Sequence, residues 1–146
     1  MKLQTASATI SFAKGLEEQS AEFYEDLSQR YAEGEDIFLS FAKENRKNVV
    51  QIERAYYGVI TDAIEGCFAF NIEPDAYTLE TEVAENVSYS DALDKAIELE
   101  ERIIKFYSDA AEQSKSLMAD VPRAFRMVAK KRDNRIAKLR LLLKEG

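Results

Sequence analysis

Residues Ala96 to Tyr107 read AIELEERIIKFY, and residues Ala13 to Tyr24 read AKGLEEQSAEFY in the same frame. A displacement of 83 positions sets Ala13 on Ala96, Leu16 on Leu99, Glu17 on Glu100, Phe23 on Phe106 and Tyr24 on Tyr107. A second pair, AKENRKNVVQI from Ala42 to Ile52 and AKKRDNRIAKL from Ala129 to Leu139, overlays at a displacement of 87. Two motifs recurring in the same order predict two helical hairpins built on one plan.

Apolar residues three and four apart share a helix face, so each segment marks its own buried seam. The seams are Ile10, Ala13, Glu17, Ser20, Tyr24, Leu27 and Tyr31; Phe38, Phe41, Asn45, Asn48, Ile52, Ala55 and Val59; Leu93, Ala96, Glu100, Ile103, Tyr107 and Ala110; and Phe125, Val128, Arg132, Arg135, Leu139 and Leu142. All four are interrupted at mid-helix, by Glu17, by Asn45 and Asn48, by Glu100, and by Arg132 and Arg135. An unpartnered buried charge costs several kcal/mol or more. The sequence must therefore pair these groups or use them, and this layer is where function has to be argued.

At 146 residues the chain has the size of one domain, residues 1–146, able to bury about 68–70% of its unfolded surface. Five Gly and two Pro beside 46% apolar residues fit an all-α protein and oppose a sandwich or barrel. The net charge of −7 hides an asymmetry: residues 1–122 carry 11 Lys/Arg against 25 Asp/Glu, and residues 123–146 carry 9 against 2. A basic last helix packing among three acidic ones accounts for this more simply than a nucleic-acid surface does, and the pI of about 4.8 opposes DNA. Cys67 is alone, which excludes an internal disulfide and a multi-cysteine zinc site, and it reads as a small buried residue. With no His, there can be no His-based triad, His-ligated haem or H-E-x-x-H site. The first fifteen residues lack the apolar core of a signal peptide and no stretch approaches 18 apolar residues, so a cytoplasmic protein without membrane contact is expected.

In chain order, helix 1 is expected to start at Ser7 to Thr9 and to run to Ala32, with Gly34 ending it. A short turn leads to helix 2, from Glu35 to Tyr57 or just beyond Gly58, as an antiparallel neighbour. Thr61 to Tyr89 reads as a long crossover with a short helical piece, its aromatics Phe68, Phe70 and Tyr77 covering an end or flank of the bundle, or alternatively meeting a second copy. Ser90 caps helix 3, which runs to Leu117; Pro122 lies in the first turn of helix 4, which runs to Lys144. Helix, turn, helix, long crossover, helix, turn, helix is the order of a ferritin-like antiparallel four-helix bundle.

LEEQSAEFY and LEERIIKFY resemble the helix 1 and helix 3 signature of rubrerythrin-like proteins of the ferritin-like superfamily, in which the Glu seven residues before the Tyr is an iron ligand. AKENRKNVVQI and AKKRDNRIAKL resemble that family's Glu-x-x-His segments of helices 2 and 4. The resemblance covers about residues 8 to 143 and rests on register at four places. It implies that Glu17 and Glu100 are retained ligand positions, whereas Asn45 and Asn48 and Arg132 and Arg135 stand where the Glu and His ligands would be. Asn is a poor iron ligand and Arg has no lone pair to give. A rubredoxin-like four-Cys site has no counterpart. Two Glu facing two Arg sum to the same zero charge as four Glu around two divalent metals, so the guanidiniums can stand in for the ions, with the two Asn completing the hydrogen bonds.

Three uses of the layer remain open: a metal-free polar core that fixes the fold, a pocket for a small anionic ligand, or a surviving metal site drawing on Glu44, Glu53 or Asp133. The expected function is accordingly a non-enzymatic bundle without cofactor, a homodimer or a module binding a protein or ligand; the alternative is an iron- or manganese-dependent oxidoreductase of peroxidase or ferroxidase type with a rearranged site.

Overall fold

The computed structural model describes residues 2–59, 70–114 and 120–145. Within them the chain is all-helical, with four long helices and no strand: α1 (Ala6–Arg30), α2 (Glu35–Val59), α3 (Tyr89–Ser114) and α4 (Asp120–Glu145). The packing is chiefly α1 on α2 and α3 on α4, with α2 also against α4.

The helix starts differ from the sequence expectation by a residue or more. Thr5, not Ser7 to Thr9, caps α1, because its Oγ1 accepts from the Ala8 amide at 3.1 Å and its carbonyl takes the Thr9 amide. Ser88 rather than Ser90 caps α3, its Oγ accepting from the Asp91 amide at 3.1 Å. At the other end α1 stops at Arg30, and Ala32–Gly34 form a single tight 3-10 turn before α2. Gly34 is there for space and not for a left-handed backbone, since no positive-φ glycine occurs among the described residues. A Cβ at this position would lie 2.7 Å from the Phe38 ring and 2.8 Å from the Tyr89 hydroxyl. The expected end of helix 3 at Leu117, the final Gly146, and the readings of Cys67 and Phe68 lie outside the described residues.

The apolar seams form the core. Ala13, Leu16, Tyr24 and Leu27 from α1, Phe38, Phe41 and Ile52 from α2, Leu93, Ile103 and Tyr107 from α3, and Phe125, Val128 and Leu139 from α4 are all buried. Each fully buried Leu, Ile or Phe contributes about 1.5–3 kcal/mol relative to exposure, so the core carries the fold. Of the seam residues whose burial is described, Tyr31, Ala55 and Leu142 are half-buried and the others are buried.

Residues 70–88 lie along α3 and α1. The segment begins with an isolated bridge between Leu3 and Ile72, holds Asn71 N–H on Gln113, turns through a 3-10 helix at Pro74–Tyr77, and donates from Tyr77 Oη to Asp109 at 2.5 Å. It is then held by Arg102 on the Thr78 carbonyl, Lys95 on the Glu82 carbonyl, and Arg30 on the carbonyls of Val83 and Ala84. Phe70 and Tyr77 are buried in their own chain, Tyr77 edge-on to Phe106 at 5.4 Å, and so are not offered to a second copy.

Candidate functional site

The i, i+3 spacing of Asn45 with Asn48 and of Arg132 with Arg135 puts each pair on one helix face. With Glu17 and Glu100 from the other two helices, all six residues converge on one layer at mid-bundle, each at most 1% exposed.

Arg132 sits at its centre and bridges both carboxylates. Its Nη2 donates to Glu17 Oε2 at 2.6 Å and its Nη1 to Glu100 Oε2 at 2.5 Å; Nη2 also reaches Asn45 Oδ1 at 3.1 Å. Arg135 continues the chain of charges, with Nη1 on Glu100 Oε1 at 3.2 Å, Nε on Glu44 Oε1 at 3.0 Å and Nη2 on the Phe41 carbonyl at 2.8 Å. Its guanidinium lies 4.8 Å from the Phe41 ring centroid and 5.6 Å from that of Tyr24, a desolvated cation–π arrangement. Asn48 Nδ2 donates to Glu17 Oε1 at 3.0 Å, and Asn45 Nδ2 to Ser20 Oγ at 3.0 Å.

Two tyrosines complete the layer by exchanging partners between the α1–α2 and α3–α4 pairs. Tyr24 of α1 donates to Glu100 Oε1 of α3 at 2.7 Å, and Tyr107 of α3 donates to Glu17 Oε2 of α1 at 2.8 Å. The sequence showed both tyrosines only as seam residues. Their signal was the seven-residue Glu-to-Tyr spacing, two helical turns on one stripe, which leaves each hydroxyl free to reach across the core. Glu44 was also missed as a member: the neutral count of two Glu against two Arg overlooks this third carboxylate, which is partly open to solvent and gives the network one negative charge in excess.

Burial pushes the Glu100 carboxyl up, but the Arg132 and Arg135 guanidiniums and the Tyr24 and Arg132 hydrogen bonds outweigh it, so the group is held below the ordinary carboxylate range. Burial would also disfavour charged Arg132, yet Glu100 and Glu17 hold its proton more tightly than usual. Tyr24 and Tyr107 are pushed well above the ordinary phenol value, by burial first and then by the neighbouring carboxylates Glu100 and Glu17 respectively. Glu100 and Arg132 are thus held toward their charged forms and the Tyr24 and Tyr107 phenols toward their neutral forms.

A metal pair of the kind the resemblance implies does not fit these residues. All four oxygens of Glu17 and Glu100 already accept hydrogen bonds, and a guanidinium lies between the two carboxylates. Glu44 is taken by Arg135, Glu53 pairs with Lys14 at 3.6 Å, and Asp133 is exposed. Among the described residues no group of three or more His, Cys, Asp or Glu could hold an ion. An anion fares no better, since the Nη atoms of both arginines are engaged within the protein; the two layer atoms without a partner are Asn48 Oδ1 and Arg132 Nε. No helix among the described residues is long and apolar enough to cross a membrane. No family model, curated protein or solved structure matches the chain.

Proposed function

We propose that the chain is a metal-free, rubrerythrin-like bundle that acts by binding a partner protein and not by catalysis. The observation that carries this reading is the Arg132 guanidinium between Glu17 and Glu100, at 2.6 and 2.5 Å. In the resemblance drawn above, that is the space of the metal pair.

The ferritin-like architecture is part of the proposal. Contacts between α1 and α2 support opposite directions, because Lys14, Glu17, Ser20 and Tyr24 meet Glu53, Asn48, Asn45 and Phe41 in turn. The path of residues 70–88 along α3 and α1 supports a long crossover between the hairpins. In this reading a buried ionic layer replaces the ligand set and fixes the register of four helices, as buried polar groups do in coiled coils. Surface and not core then carries function.

Restoring the pattern tests the proposal. The variant N45E, N48H, R132E and R135H, checked for helicity by circular dichroism, should take up about two equivalents of iron(II) or manganese(II), while the native chain takes up none. A native chain that binds metal in stoichiometric amount and turns over peroxide would replace this reading with the oxidoreductase one.

A further inference from the structure

Two atoms of the polar layer stand outside its network. Asn48 Oδ1 on α2 and Arg132 Nε on α4 are buried without a hydrogen-bond partner among the described residues, and both residues are 0% exposed. Buried polar side-chain atoms are nearly always bonded, to protein or to ordered water, so each of these two calls for a partner. They are of opposite kind: Arg132 Nε can only donate and Asn48 Oδ1 can only accept. Turning the Asn48 amide over does not help. Its Nδ2 donates to Glu17 Oε1 at 3.0 Å, and the reversed amide would set oxygen against carboxylate oxygen.

Both atoms belong to groups that hold the same carboxylate. Asn48 Nδ2 meets Oε1 of Glu17 at 3.0 Å and Arg132 Nη2 meets its Oε2 at 2.6 Å. In a planar guanidinium Nε–H and Nη2 share one edge, so Nε–H is directed to the side on which Nη2 reaches Glu17 and Asn45. Asn48 follows Asn45 by three residues on the same face of α2, which brings its amide to that side. Solvent comes close to this spot, because Glu17 and Asn45 line a cleft of about 240 Å³ between α1 and α2.

We propose that the layer binds one internal water molecule, which accepts from Arg132 Nε–H and donates to Asn48 Oδ1. The two partners select the ligand. A cation has no lone pair to offer Nε–H, and a simple anion has no proton to offer Oδ1, so only a neutral group that both donates and accepts satisfies the pair. Water is the smallest such molecule and the usual one among enclosed polar side chains. It completes the α2 side of the layer, where Asn45 and Asn48 bring no charge, as the guanidiniums complete the α4 side. The site is independent of whether the surface of the chain binds a partner protein.

The test is a crystal structure of the native chain at a resolution that places single waters, joined to a solution measurement. The crystal should show one oxygen peak about 2.7–3.2 Å from both Asn48 Oδ1 and Arg132 Nε. In solution the same molecule should give a cross-relaxation signal between the Arg132 Nε proton and the water resonance. That signal should persist in Tyr107→Phe, which removes the hydroxyl on Glu17 that could otherwise supply it. In Asn48→Leu, close in size but without the acceptor, peak and signal should both be lost. A direct bond from Arg132 Nε to Asn48 Oδ1, an ion in place of the oxygen, a dry site with no signal, or a peak unchanged in Asn48→Leu would each overturn the assignment. Should Asn48→Leu fail to fold, the native peak and the native signal decide by themselves.

Discussion

The two helix pairs, α1–α2 and α3–α4, which are hairpins in the reading proposed above, carry the same frame but solve the same problem with different chemistry. In the first, Tyr24 packs on Phe38 at 6.1 Å; in the second Tyr107 packs on Phe125 at 5.7 Å, and Phe38 and Phe125 are equivalent under the displacement of 87. Each contributes one buried carboxylate, and each receives a tyrosine hydroxyl from the other. They part at the positions opposite the carboxylates, which are neutral Asn45 and Asn48 in one and cationic Arg132 and Arg135 in the other. The difference teaches that one hairpin supplies both counter-charges for the layer. Glu17, from the hairpin with no cation in the layer, is neutralised across the interface by Arg132. The halves are then bound by charge as well as by packing, so neither carboxylate is compensated without the second hairpin.

The largest test of that asymmetry compares equivalent positions. Arg132→Ala leaves two buried carboxylates short of a partner and should cost at least about 3–5 kcal/mol in urea unfolding, whereas Asn45→Ala removes neutral hydrogen bonds and should cost about 1–2 kcal/mol. Converting Glu17, Glu100, Arg132 and Arg135 together to packed apolar residues should cost far less than Arg132→Ala alone. Equal losses for Arg132→Ala and Asn45→Ala would erase the distinction between the hairpins.

A smaller effect asks whether the exchange of tyrosines is symmetric. Tyr24→Phe and Tyr107→Phe each remove one hydrogen bond to a charged acceptor and should each cost about 1.5–3 kcal/mol, with helicity unchanged. If one is silent, its hydroxyl does not serve its carboxylate in solution and the exchange is one-sided.

The smallest effect is read in pH. The Glu100 carboxyl is held below its ordinary value in the folded chain, so the unfolded chain binds the proton first as pH falls. Its contribution is present above the unfolded value of about 4.3 and is lost as pH drops through the folded one. Thermal unfolding of Glu100→Gln should start lower at neutral pH but show a shallower fall below about pH 4.3 than the native chain. An unchanged acid slope would mean that Glu100 is not held by the two guanidiniums.

Much of this was legible because helix periodicity is a local property. The four seams emerged with their polar interruptions, since three- and four-residue spacing alone assigns a helical residue to a face. What escaped depended on distances across the core. Tyr24 and Tyr107 look apolar in a stripe, and nothing local says that each hydroxyl finds the other hairpin's carboxylate. Glu44 sits beside the seam of its own helix, so its bond to Arg135 requires the positions of both helices. Thr5 and Ser88 were passed over as caps because several Ser and Thr stand at each start, and the choice depends on where the first turn closes. Gly34 signals a helix end by type, but its reason is the Phe38 ring and Tyr89 hydroxyl packed against it.

The central claim is that a guanidinium holds the place between Glu17 and Glu100 where the resemblance would put metal. Its most direct test is the melting temperature of the metal-stripped chain titrated with iron(II) under anaerobic conditions and, separately, with manganese(II), because an ion that binds only the folded state raises it by mass action. The account predicts no shift for the native chain and none for Glu17→Ala beyond that variant's own lower starting point. A rise that saturates at stoichiometric metal in the native chain and vanishes in Glu17→Ala would contradict it.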